Sequence, residues 1–409
     1  KATSKVTFDD YFIDSTLRLD FYHTGNKDTE TISFEKLVEE GMWSGSKKNL
    51  IDDLNFGNYF VNVYDDSTGK MIYSRGFSTL YQEWQTTEEA RTVTRSFSGS
   101  ILIPFPKSKV NVEIYRRNRR NIFEKKFQKE IDPKDYFILK EKIKTYKNFK
   151  VHYSGDPSTK LDIVFIPEGY TKKEMRKFHK DSERFAGYLF NYSPFKENKD
   201  KINIWGIEAP SKETGTDIPA ENIWKQTLVN SRFYTLDSER YLMTTDYFTV
   251  RDVAASAPYD QIFVMVNTTK YGGGAIYNFY SMTSVDNIVA NKIFVHEFAH
   301  GFGGLADEYG NDNTYQNMYP LDVEPWEANL TTLVNFESKW MNLIEPGTPI
   351  PTPAEEKYKN KIGVFEGGGY VSKGVYRPTV NSIMNSFQSN EFNQVCKDVL
   401  QKIISFYSE

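Results

Sequence analysis

Residues 161–170 read Leu-Asp-Ile-Val-Phe-Ile-Pro-Glu-Gly-Tyr, a near-continuous apolar strand that ends in a turn. Strands that are apolar on both faces are typical of buried, parallel sheets. A helical pattern follows from about residue 172 to 189, and two further apolar strands are predicted at 202–207 and 261–266. This strand-helix-strand order predicts a mixed α/β domain built on a largely parallel sheet.

The region before this segment has a different pattern. From residue 5 to about 145, short segments alternate apolar and polar positions, which predicts strands with one buried face at 6–8, 17–21, 59–64, 71–73, 101–103, 110–115 and 121–123. The turn-forming residues at 65–69 are typical of a hairpin. We therefore expect an antiparallel β-sandwich in this half of the chain.

A chain of 409 residues is too long for one typical core, so two domains are expected. The alternation is lost in a lysine-rich stretch between Leu139 and Lys150, and the junction is predicted near residue 148. The expected division is a β-sandwich accessory domain at 1–148 and an α/β domain at 149–409.

Composition excludes several classes of partner. The 51 basic and 55 acidic side chains leave a net charge of -4, so no large electrostatic field favours binding to nucleic acid or to an anionic membrane.

The single cysteine, Cys396, cannot form an internal disulfide, and we interpret it as a core residue. No apolar run reaches the roughly 18 residues that predict a transmembrane helix. The sequence begins at Lys1 without an initiator Met or an apolar signal core, which is typical of a trimmed, mature secreted protein or a shortened chain. The oligomeric state is left open.

Residues 293–303 read Ile-Phe-Val-His-Glu-Phe-Ala-His-Gly-Phe-Gly. On a helix, His296 and His300 project from the same face, and both can bind one zinc ion at about 2.0–2.1 Å. Glu297 lies beside that face, where it can take a proton from a water on the metal and pass it to a departing amine. A structural histidine pair on a buried helix remains the alternative. The apolar residues before the motif and the glycines after it favour a core helix that ends at a cleft.

Catalytic zinc usually has a third protein ligand. No histidine follows His300, because the remaining ones are His23, His152 and His179, so a downstream ligand must be a carboxylate. Position 306, where an extended zinc motif would have another histidine, is Ala306. Asp307 is the predicted third ligand, and Glu308 is the alternative.

Residues 296–309 resemble the core of the immunoglobulin A peptidase family of bacterial zinc peptidases. Residues 382–386, around Met384, resemble the methionine turn that lies under zinc in metzincin-like enzymes. The resemblance covers about residues 150 to 405, and the N-terminal region resembles a β-rich domain that precedes the peptidase in some members. It implies a metzincin-like α/β zinc peptidase domain after the sandwich. It also implies zinc-dependent endopeptidase activity on protein or peptide substrates, in a secreted, cell-surface or periplasmic bacterial protein. The immunoglobulin target of the namesake does not transfer, because specificity lies in loops.

Two smaller features stay open at this point. The glycine-rich segment 271–277 is either a sheet edge that pairs with an extended substrate or a mobile hairpin turn. The hydroxyl groups of Tyr309, Tyr370 and Tyr376 either stabilise an oxyanion or are structural.

Two other functions remain to be separated from peptide hydrolysis. One is a zinc amidase or deacetylase that acts on cell-wall or glycan material. The other is a catalytically degenerate module that serves as an adhesin, against which the intact His296, Glu297 and His300 count. Peptide libraries tested beside glycan substrates would separate the two enzymes.

Overall fold

The protein is described from a computed structural model that covers residues 6–140, 144–310 and 318–408. The predictions made for Lys1–Lys5 and for part of the lysine-rich junction, 141–143, lie outside the described residues. The helices in the described parts are α1 Phe8–Tyr11, α2 Leu80–Trp84, α3 Met175–Leu189, α4 Tyr247–Ala254, α5 Ala290–Gly303 and α6 Gln394–Ser408.

The N-terminal region forms two antiparallel sheets. Its strands are β1 Phe12–Gly25, β2 Glu30–Glu39, β3 Tyr59–Asp65, β4 Met71–Phe77, β5 Arg95–Pro106, β6 Val110–Arg117 and β7 Phe123–Ile131. One sheet has the order β2-β1-β5 and the other β4-β3-β6-β7. Both contribute to one apolar core, for example Leu19 and Ile103 from the first sheet and Val61 and Val112 from the second. The prediction of a β-rich N-terminal region is confirmed.

Two local strand predictions in this region are wrong. Residues 6–8 form no strand, because Phe8 begins α1, where Asp9 and Asp10 lie in the first turn and favour the positive end of a helix. Asn121 lies in a turn with a φ of 59°, a conformation that Asn tolerates well, and β7 begins only at Phe123.

The C-terminal region is built on a six-stranded sheet. Its strands are β8 Asn148–His152, β9 Leu161–Glu168, β10 Ile202–Ile207, β11 Gln261–Val266, β12 Gly273–Ile276 and β13 Tyr280–Ser284. Their order is β12-β13-β11-β9-β10-β8, with the four inner strands parallel and the two edge strands antiparallel to their neighbours. The three apolar segments predicted as buried strands are β9, β10 and β11. The predicted α/β architecture is confirmed.

The complete burial of β9 explains its near-continuous apolar sequence. Phe165 packs into a core with α3, α5 and α6 on one face of the sheet. Val164 points to the other face and packs into a core that contains α4. Helices on both faces leave no polar side for this strand.

The N-terminal region packs against that second face. Leu80 and Trp84 of α2 belong to the same core as Val250 of α4. An ion pair of 2.8 Å joins Nη1 of the buried Arg18 to Oδ1 of the partly exposed Asp252 across the two regions. The N-terminal region is therefore held beside the C-terminal sheet, close to its β12 edge.

The last third of the chain carries a small ribbon, β14 Phe365–Gly368 paired with β15 Val371–Arg377, before α6. Cys396 on α6 is a buried free thiol, as predicted. Among the described residues, we find no helix with both the length and the apolar character needed to cross a bilayer.

Candidate metal centre

Helix α5 presents the His-Glu-x-x-His residues at its C-terminal end. Ile293, Phe294 and Phe298 are buried against the sheet and fix the helix in place. The helix ends at Gly303, and Gly304 adopts a left-handed conformation with a φ of 59°. An added Cβ at Gly304 would lie 2.9 Å from the Trp326 ring, so a glycine is required for this turn.

Both histidine rings are oriented through their Nδ1 atoms. His296 Nδ1 lies 3.0 Å from the carbonyl oxygen of Ile383, and His300 Nδ1 lies 2.5 Å from that of Leu305. A carbonyl only accepts hydrogen bonds, so both Nδ1 atoms are donors and both Nε2 atoms can present lone pairs. The two Nε2 atoms face each other at 3.0 Å. The predicted convergence of the rings is present.

Asp307 joins the histidines, whereas Glu308 does not. Asp307 Oδ1 lies 3.1 Å from His296 Nε2 and 3.4 Å from His300 Nε2. Glu308 points into the core, where it accepts hydrogen bonds from the side chains of Asn329, Ser382, Asn393 and Cys396. Among the described residues, the one group of side chains able to hold a metal ion is therefore His296, His300 and Asp307, whose ligand atoms lie within 4.8 Å of one another.

The electrostatics of this group favour a cation. Burial opposes ionisation of Asp307, but the charge of His300 and the closeness of both histidine rings hold its pKa well below the ordinary value. Burial alone would lower the pKa of His300, but the negative charge of Asp307 outweighs it and raises this pKa to about 9. Two imidazole nitrogens and a carboxylate oxygen thus converge on a space that attracts positive charge, either a proton or a metal ion.

Glu297 lies between this group and the edge strand β12. A Cβ on Gly273 would come within 3.0 Å of Glu297 Oε1, so the carboxylate rests directly on that glycine. Burial raises the pKa of Glu297, and the charges of His296 and His300 oppose this shift. Glu297 and His300 are only half-buried, so solvent reaches the group.

The edge strand is partly covered by the chain itself. β12 is the outermost strand at its end of the sheet, so the sheet-edge interpretation of segment 271–277 is confirmed in that respect. On its open side, however, the Gly273 amide donates to the Arg240 carbonyl at 3.2 Å, and the Leu242 amide donates to the Gly273 carbonyl at 3.1 Å. In an antiparallel pair alternate residues face outward, so Ala275 presents its peptide groups to the same side.

Two of the three candidate tyrosines lie at the site. The Tyr370 hydroxyl donates to Asp307 Oδ2, on the far side of the carboxylate from the histidines. The ring of Tyr309 lies 5.2 Å from that of Tyr370, and its hydroxyl accepts a hydrogen bond of 3.1 Å from Arg240 Nη2. Tyr376 instead belongs to β15 and packs against the cluster around Trp340.

Sequence reasoning missed two charged residues near the site. Arg240 lies beside Tyr309, and Glu83 comes from α2 of the N-terminal region. The hydroxyl of Tyr241 donates to Glu83, and burial raises the pKa of Glu83 to about 7, with smaller effects from His300 and Glu297. Neither residue lies in a motif, and no local pattern distinguishes them from the other charged residues of the chain.

A helix-borne histidine pair with a neighbouring glutamate and a converging aspartate is an arrangement typical of metal-dependent hydrolases. Comparison with known families agrees with this class. The family described as IgA Peptidase M64 matches residues 149–358 and 354–404, and the family described as Peptidase M64 N-terminus matches residues 7–128. No curated protein matches the chain. The chain belongs to the IgA peptidase M64 family and is therefore a metallopeptidase with protein or peptide substrates.

Proposed function

We propose that the protein is a zinc-dependent endopeptidase. The observation that carries this proposal is the convergence of His296 Nε2, His300 Nε2 and Asp307 Oδ1 beside Glu297. Two nitrogens and one carboxylate oxygen make a common protein ligand set for catalytic zinc, with a fourth position left for water or substrate. Asp307 Oδ1 is a buried acceptor that receives no hydrogen bond from any described residue, which fits a metal ligand.

In this proposal the residues have separate tasks. His296, His300 and Asp307 would hold the ion, which would supply a water of lowered pKa, about 7, and a polarised carbonyl. Glu297 takes the proton of the attacking water and delivers it to the leaving amine. The raised pKa of Glu297 suits this exchange, because a carboxylate with an ordinary pKa would be a weaker base.

The carbonyls that orient the histidines form the supporting layer of the site. Ile383, whose carbonyl pairs with His296, lies in the turn at 382–386, and Met384 in that turn is fully buried. This arrangement supports a metzincin-like assignment for the peptidase domain, with Met384 in the methionine turn. The shared core of the two N-terminal sheets supports the β-sandwich assignment. The start of β8 at Asn148 supports a domain boundary close to residue 148, immediately before this strand.

We also propose that the protein acts outside the cytoplasm, as a secreted, cell-surface or periplasmic bacterial protein. The support is the family name, which refers to an extracellular antibody. Fractionation of the producing cells would test this directly. Recovery of the whole protein from the cytoplasm would contradict it.

The proposed activity is tested by metal analysis and by substrate panels. Mass spectrometry of the purified protein is expected to find one zinc per chain, and peptide libraries are expected to be cleaved internally in a chelator-sensitive manner. Cell-wall and glycan amides are tested in parallel as alternative substrates. Hydrolysis of these amides without any peptide cleavage, or peptide cleavage that survives complete removal of metal, would contradict the proposal.

A further inference from the structure

Arg240 is fixed beside the candidate metal centre by its backbone. Its carbonyl accepts from the Gly273 amide at 3.2 Å, and Leu242 closes the same short bridge to β12. Gly273 is the residue on which Glu297 rests. The position of Arg240 along the cleft is therefore set by the same strand that supports the proposed catalytic base.

The guanidinium of Arg240 lies beside Tyr309, within electrostatic reach of Asp307. Its Nη2 donates to the Tyr309 hydroxyl at 3.1 Å, and the group lies 5.9 Å from the centre of the Tyr309 ring. Its charge also acts on Asp307 and Glu297. The side chain thus lies at the rim of the metal centre, held by an aromatic ring on one side.

This guanidinium has no carboxylate partner among the described residues, although acidic side chains are near in sequence. Glu239, its neighbour in the chain, pairs instead with Lys270 at 2.8 Å. The buried Arg18, in contrast, pairs with three carboxylates, those of Asp20, Glu40 and Asp252. Arg240 is exposed, and among the described residues the hydroxyls of Tyr309 and Tyr271 account for at most two of the five N–H donors on its planar group.

A charged fork with free donors at the rim of a cleft matches one kind of ligand group. Arginine binds carboxylates through two parallel hydrogen bonds, and such charge-assisted bonds are about twice as strong as neutral ones. A bound divalent cation would neutralise the two negative charges of Asp307 and Glu297. The positive charge of the Arg240 guanidinium would then remain without a compensating negative charge. An anionic group of the substrate is therefore favoured here over a neutral one.

We propose that Arg240 is a specificity-determining residue that binds a carboxylate of the peptide substrate next to the scissile bond. The inference rests on the proposed peptidase function and names its preferred substrates. The carboxylate comes either from the free C-terminus of the substrate or from an Asp or Glu side chain. Both sources present the same pair of carboxylate oxygens, so the experiment tests each source with its own set of peptides.

The first measurement compares kcat/KM for matched peptides on the zinc-loaded enzyme. One set ends in a free acid or an amide, and another has Asp against Asn, or Glu against Gln, at each position flanking the cleaved bond. We expect the wild type to prefer the carboxylate form in at least one set by about 10- to 100-fold. Arg240→Gln should bring that ratio close to one, mainly through KM, while the neutral peptides change by less than about threefold.

Arg232→Gln is the matched control, because Arg232 is an exposed arginine on the same irregular segment, bonded through its backbone to Met243. It should keep the wild-type ratio. Arg240→Lys should retain part of the preference, since the charge remains but the fork is lost. Equal discrimination in wild type and Arg240→Gln would overturn the inference, as would a uniform loss of kcat on all peptides, which indicates oxyanion stabilisation or a structural role instead.

A binding measurement separates this inference from the proposed function. Fluorescent free-acid and amide peptides, and the Asp and Asn pairs, are titrated into Glu297→Gln with and without Arg240→Gln. The carboxylate form should bind more tightly only when Arg240 is present. If the wild type cleaves no peptide, the proposed function fails, yet this titration still decides the role of Arg240.

Discussion

Two adjacent carboxylates have opposite environments in this protein. Asp307 belongs to the metal-facing cluster, defined as His296, His300 and Asp307, and its Oδ1 receives no hydrogen bond from the described residues. Glu308 belongs to the Glu308 cluster, in which Asn329, Ser382, Asn393 and Cys396 surround it with donors. Both carboxylates are buried, so burial alone does not identify a functional group. The difference is that the described residues supply Glu308 with donors, whereas they leave Asp307 Oδ1 as a buried acceptor without one, which supports the cation that we propose for this cluster.

The largest effect on catalysis is expected from substitution of Glu297, which lies beside the metal-facing cluster. Glu297→Gln keeps the shape of the side chain but removes the base, so kcat should fall by about 10²- to 10⁴-fold. Zinc content by mass spectrometry should stay at the wild-type level, because Glu297 is not one of the three proposed zinc ligands. Undiminished turnover in this variant would remove Glu297 from the mechanism.

Asp307→Ala tests the metal-facing cluster itself. Removing a direct ligand should weaken zinc binding by more than about 100-fold, since loss of a group that only supports a ligand already costs 10- to 100-fold. Competition with a chelator of known affinity measures the change. Zinc binding that matches the wild type would shift the assignment of third ligand to Glu308.

Tyr370→Phe sharpens the same assignment by removing one supporting hydrogen bond. The Tyr370 hydroxyl donates to Asp307 Oδ2, so its loss should weaken zinc binding by about 10-fold, at the lower end of the range for such groups. The chelator competition applies again, with Tyr376→Phe as a control from β15. An identical loss in both variants would argue against a specific role for Tyr370.

Glu308→Gln should leave zinc binding within about threefold of the wild type, because Glu308 points away from the histidines. Its effect should appear in stability instead, since the new amide places N–H groups against donors in a buried site. A loss of about 1–3 kcal/mol in the free energy of unfolding is expected from urea titration. A variant that loses zinc but keeps its stability would reverse the distinction between the two clusters.

The sequence alone determined the features that depend on local spacing. His300 lies four positions after His296, and helical geometry then brings both rings to one face of the helix. The apolar runs at 161–168, 202–207 and 261–266 likewise predicted strands buried on both faces, because a strand covered by helices on both sides needs such a pattern. The two wrong strand predictions, at 6–8 and 121–122, lie at element ends, where an acidic turn or a left-handed Asn outweighs the alternation.

The tertiary structure decided which groups meet at the site. The sequence restricted the third candidate ligand to Asp307 or Glu308, but their directions depend on the path of the chain after Gly304. That path is fixed by distant contacts, such as the bond from the Glu308 amide to the Met384 carbonyl at 2.8 Å. Arg240 and Glu83 reach the same cleft from an irregular segment and from the N-terminal region. No periodicity encodes such placements, because the packing of distant segments, rather than the neighbours in sequence, decides which side chains meet at the cleft.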